Sequence, residues 1–104
     1  MPLTHDLKQT VQERVRNKPD FRIGLLTEAA ECLLNDEINV AKTLLRDSVN
    51  GTIGFQALGT LTHKNSLSLM RMLSGKGKSS IDNISKALVS LRRHEGIELH
   101  VSAR

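Results

Sequence analysis

Apolar residues recur along this chain at helical spacing, in segments separated by short polar breaks. Leu7, Val11 and Val15 repeat every four residues, and Thr4 stands where an N-cap belongs. The stripe is narrow, so this first helix is expected to pack on one neighbour only. Asn17-Lys18-Pro19-Asp20 interrupts it. Pro19 disfavours helix at Lys18, and Asp20 or Asn17 can cap the next helix. Phe21, Leu25, Leu26, Ala29, Ala30, Leu33 and Leu34 then form a broad apolar face on that second helix. Asn35-Asp36-Glu37 is expected to cap a third, with Ile38, Ala41, Leu44, Leu45 and Val49 inward. Asn50-Gly51 should stop it, since glycine tolerates the left-handed cap conformation.

From Gly54 a short helix is predicted through Phe55, Ala57, Leu58 and Leu61. Thr62-His63-Lys64-Asn65 reads as a tight turn, and Asn65 suits the N-cap of a helix from Ser66 that stops at Gly75. After Lys76-Gly77-Lys78, Ser79 with Asp82 three residues on makes a capping-box pattern. The last helix should bury Ile81, Ile84, Ala87, Leu88 and Leu91 and end at Gly96. Ile97-Glu98-Leu99-His100-Val101 alternates apolar and polar, which predicts one short strand. No other segment offers it a partner, so pairing with a second copy of the chain is the expected solution. The fold class is therefore all-α, with five or six helices and a short C-terminal strand.

Composition narrows the class. A chain of 104 residues supports one domain with a single core. Two Phe and no Trp or Tyr leave that core to aliphatic side chains. No apolar run approaches the length of a membrane span, and the N-terminus is not a secretory signal. One cysteine gives no internal disulfide framework, so a cytoplasmic protein is expected. Charge is unevenly spread. Residues 1–50 carry seven Lys/Arg and eight Asp/Glu, whereas residues 51–104 carry eight and three, a net of −1 against +5. Such a footprint favours a polyanionic partner.

The basic half also holds the most telling arrangement. Two short helices joined by a tight turn, with a third closing over them, follow the plan of a helix-turn-helix. Leu58 and Leu61 on the first helix should meet Leu69, Met72 and Leu73 on the second, with Gly59 small where the pair crosses most closely. Ser66, Leu67, Met70 and Arg71 remain for the outer face. The run "LGTLTHKNSLSLMRMLSG", Leu58 to Gly75, resembles without a gap the helix-turn-helix of the lambda-repressor/Cro-like (XRE) regulators. From Phe21 to Leu91, about two thirds of the chain, the sequence is similar to the antidote-type regulators of bacterial addiction modules, which include HigA-like antitoxins. "SLMRMLSGKG" is the most specific part. His63 departs from the family's frequent turn glycine, Lys64 from an apolar residue and Ser79 from a common proline. His63 is tolerable there, because His is enriched at positive φ.

The resemblance implies a lambda-repressor-like domain. Residues 1–50 would form a helical extension on the core, 51–95 the DNA-binding core and 96–104 a strand and tail. It implies a homodimer on a palindromic site in double-stranded DNA, with the second helix in the major groove. Arg71 is then the leading base reader, since a guanidinium can donate two parallel bonds to guanine. Ser66 can bond a base edge, Leu67 can pack on a thymine methyl, and Met70 completes the base-contacting set. Gln56, Lys64, Asn65, Ser68, Lys76 and Lys78 suit phosphates, where charge or a simple donor is enough. The antidote likeness adds a small toxin protein as a partner, with residues 1–50 as its contact; the alternative is a stand-alone phage-type or chromosomal repressor.

Other chemistries find less footing. His5, His63, His94 and His100 lack ligand spacing, so no metal or other cofactor is expected. Cys32 lies on an apolar helix and reads as a small hydrophobe. "SGKGKSS" lacks the Walker spacing and follows a helix rather than a strand. No nucleophile–base pair is visible, and an enzyme is not expected.

Overall fold

The computed structural model describes the backbone of residues 3–74 and 80–104, and the side chains of residues 10–74 and 80–104. Six helices follow in order among these residues: α1 (Leu3–Asn17), α2 (Pro19–Leu34), α3 (Ile38–Gly51), α4 (Gly54–Thr62), α5 (Ser66–Leu73) and α6 (Ile81–Glu95). No strand occurs among them.

The break between α1 and α2 arises where the proline predicts it. Lys18 is extended, at φ −124° and ψ 101°, and Pro19 takes the first position of α2. Neither Asn17 nor Asp20 caps that helix: Lys18 occupies the cap and makes no side-chain bond. Asp20 instead adds a negative charge to the first turn, which suits the helix dipole. At the other end of the chain's first helix, α1 starts at Leu3, so Thr4 lies inside it rather than before it.

The α2–α3 corner also differs from the expectation. Glu37 N–H donates to the Cys32 carbonyl (2.7 Å) and Asp36 N–H to that of Leu33 (3.3 Å), with Asp36 left-handed at φ 61°. This is the paired-bond closure of a helix C-terminus. Asn35-Asp36-Glu37 therefore finishes α2, and Glu37 stands at the start of α3 without a side-chain cap bond. At the far end of α3, Gly51 is still helical and Thr52 is the cap. Glycine is needed there for space, because a Cβ on Gly51 would run into the Val15 side chain of α1.

One core cluster spans α2 to α6. It joins Leu26 and Ala29 to Leu45 and Val49, to Phe55 and Leu58, to Leu69, Met72 and Leu73, and to Ile84, Ala87 and Leu91. α2 and α3 make the most extensive helix pair. A radius of gyration of 13.3 Å matches about 13 Å for a single domain of this length. Leu34 and Ile81, both expected inside, are exposed: they are the last residue of α2 and the first of α6, and the buried stripe of α6 begins at Ile84. Arg22 ties the start of α2 to the ends of α1 and α6. Its Nε donates to both Glu95 oxygens at 2.9 Å, and its Nη1 donates to the Val15 and Arg16 carbonyls at 2.9 and 3.0 Å.

Ser80, not Ser79, caps α6, accepting from the Asn83 N–H at 3.2 Å; Ser79 itself lies outside the described residues. Gly96 ends the helix at φ 69°, and Ile97 N–H returns to the Arg92 carbonyl. The strand expected over residues 97–101 is not formed in the single chain. A ladder needs a neighbour, and no described segment lies alongside to bond it. Ile97 and Leu99 instead lay their side chains against the core.

Candidate nucleic-acid interface

α4 is short and tightly terminated. Lys64 N–H donates to the Gly59 carbonyl at 2.9 Å and His63 N–H to that of Thr60 at 3.5 Å. His63 is left-handed, at φ 55° and ψ 39°, a conformation that glycine adopts freely and His tolerates better than most side chains. Gly59 allows the chain to return so closely: a Cβ there would sit 2.7 Å from the Lys64 carbonyl oxygen. The expectation of a small residue at this crossing is met, and the obstacle is the backbone of the turn.

Asn65 then starts α5. Its side-chain oxygen accepts from Leu67 N–H (2.9 Å) and Ser68 N–H (3.3 Å), satisfying two donors that the first turn leaves unpaired. Leu69, Met72 and Leu73 are buried against α3, α4 and their neighbours. With 100° between successive residues, Leu67 and Arg71 fall on the opposite ridge, four residues apart. Leu67 is 61% exposed and Met70 47%, so neither is covered by α6. Arg71 is exposed, and its guanidinium has no partner among the described residues. Ser68, Lys64, Asn65 and Gln56 are exposed and Ser66 is half-buried. Lys76 and Lys78 lie outside the described residues.

The structure brings three of the expected residues together. Gln56 near the start of α4, Lys64 in the turn and Ser66 at the start of α5 line one open concavity, with Thr60 and His63 beside them. Thr60 and His63 were absent from the expected site; the left-handed turn that turns His63 outward is the signal for them. Arg71 stands outside this concavity, on the outer ridge of α5. A further signal lies in the sequence itself: no Asp or Glu occurs between Asp47 and Asp82, so the whole α4–turn–α5 segment is free of carboxylates.

Leu61 corrects one expected contact. It does not join Leu58 against α5; it is 59% exposed and borders a groove with Val89 and Arg93 of α6. Cys32 is buried, and its thiol is pushed above the ordinary value, first by burial and then by the Glu37 carboxylate. That environment disfavours a thiolate nucleophile. No three of His, Cys, Asp and Glu converge among the described residues, and no described helix is long and apolar enough to cross a membrane. Scans against protein-family models, curated proteins and solved structures find no match.

Proposed function

We propose that this chain is a sequence-specific DNA-binding regulator of lambda-repressor-like helix-turn-helix type, in which α5 reads the major groove. The observation that carries the reading is α5 itself. It is an eight-residue helix, rigidly capped by Asn65, buried on one side and bare on the other, in a segment without a single carboxylate. An apolar residue and a guanidinium with no described partner, on one outward ridge, serve no core. They suit a surface that offers methyl groups, paired acceptors and negative charge, and the major groove offers all three. Gln56, Lys64, Asn65 and Ser68 are the phosphate contacts in this reading, with Lys76 and Lys78 further along the chain after α5.

A dimer on a two-fold operator follows from the shortness of α5, since one such helix touches too few base pairs to be selective. The similarity to antidote regulators extends the proposal to the antitoxin of a type II module that represses its own operon. Co-expression with an adjacent small toxin-like reading frame tests that extension: rescue of growth supports it, and a stand-alone repressor is the alternative.

The DNA reading is tested by anisotropy with the duplex upstream of the gene and a scrambled duplex, at several salt concentrations. Arg71→Ala should remove roughly 1–3 kcal/mol of discrimination. Lys64→Ala should weaken both duplexes alike and lower the salt slope by about one unit. If Arg71→Ala weakens both duplexes equally, Arg71 is not a base reader.

A further inference from the structure

The C-terminal segment after α6 leaves most of its backbone without a partner among the described residues. Beyond Ile97, whose N–H and carbonyl are held by Arg92, the backbone of residues 98–104 makes no hydrogen bond to any other described residue. Its side chains alternate from half-buried Ile97 and Leu99 to exposed Glu98 and His100, the period of an extended chain. Beside it runs a groove of about 330 Å³, walled by Ala30, Leu33 and Leu34 of α2, Leu88 and Arg92 of α6, and Leu99, His100 and Val101 of the segment itself. Leu34 and Val101 are apolar yet open, Val101 at 76% exposure. A row of free donors and acceptors beside an uncovered apolar groove is a template for another extended chain.

The sequence of the segment says which chain. A two-fold axis perpendicular to a two-stranded ribbon keeps each residue on its own face, so opposed residues must have the same parity. In the register centred on Leu99, Leu99 opposes its own copy and Ile97 opposes Val101, all on one face of the ribbon. Glu98 opposes His100 on the other face, a carboxylate facing an imidazole that can donate to it. Moving the centre to His100 sets Glu98 against Ser102 and His100 against its own copy, losing that match. A bare two-stranded ribbon is marginal in water, and the apolar grooves of both copies supply the backing it lacks.

We propose that residues 97–101 pair antiparallel with the same residues of a second copy, centred on Leu99, with Glu98 against the partner's His100. The pairing exists only between chains, and the single chain leaves the segment without a ladder. The pairing gives the interface of the dimer that the DNA reading needs, yet it is measured with no DNA present, so its failure leaves the reading of α5 to its own duplex test.

Sedimentation equilibrium of the full chain tests it through exposed positions whose replacement spares the fold, checked by melting. The wild type should be dimeric. Val101→Asp should make it monomeric. His100→Glu sets like charges opposite one another twice per dimer, and Glu98→Lys removes the acceptor; each should weaken association by about 3- to 30-fold. The double variant Glu98→Lys/His100→Glu restores opposite partners and should recover most of the lost affinity. A monomeric wild type, a dimer indifferent to Val101→Asp, or a double variant no tighter than its parents overturns the proposal.

Discussion

His63 and Gly59 show how much one backbone position decides. His63 holds a left-handed conformation that disfavours any residue with a Cβ by about 1–2 kcal/mol. His63→Gly should therefore raise stability by about 1 kcal/mol in a urea titration, with no change in helix content. Gly59→Ala should do the reverse, lowering stability by about 1–3 kcal/mol, since its Cβ meets the backbone of Lys64 rather than a side chain that can turn away. Both roles were legible in the sequence, because turn chemistry is local. The reason for Gly51 was not. Its neighbour is Val15, 36 positions earlier, and no local pattern announces that contact. Cys32 belongs with these: with its thiol held protonated by burial and by Glu37, it should react slowly with a thiol reagent until the chain unfolds.

At the scale of elements, helical period located all six helices, and the caps at Asn65 and Gly96 fall where the sequence puts them. What period cannot supply is the neighbour. It assigns Leu61 and Ile81 to the apolar side of their helices, yet burial also needs a facing helix, and there both are open. The C-terminal strand failed for the same reason, since alternation describes one edge and a ladder needs two. For the candidate site, the outward ridge of α5 was readable from spacing, whereas Thr60 and His63 joined Gln56, Lys64 and Ser66 only through the turn's geometry. Asn65→Ala should cost about 1 kcal/mol of stability, as loss of an N-cap usually does. Because α5 is only eight residues long, the same change should weaken duplex binding beyond what the stability loss explains. Comparing the urea midpoint with the binding isotherm separates the two effects.

Helices α2 to α6 share one core, since the cluster that holds α5 includes Leu26 and Ala29 of α2 and Leu45 and Val49 of α3. Deleting residues 1–50 would strip that core, so a partner contact there is better probed by exposed substitutions than by truncation. Arg22 and Glu95 close the body by joining the end of α1, the start of α2 and the end of α6. Glu95→Ala leaves a mostly buried guanidinium without its carboxylate and should lower stability by about 1–3 kcal/mol, read as a drop in melting temperature. Charge is polarised over the same body, with the carboxylates largely before Asp47 and the bare α5 ridge in the segment that has none. The most direct measurement of what that polarity serves is selection of duplexes from a random pool, run in parallel on the wild type and Arg71→Ala. The wild type should enrich an inverted repeat with half-sites about one helical turn apart, containing a guanine that Arg71→Ala no longer selects. Retention of no duplex above a protein-free control, or the same motif enriched equally by both proteins, would contradict the account.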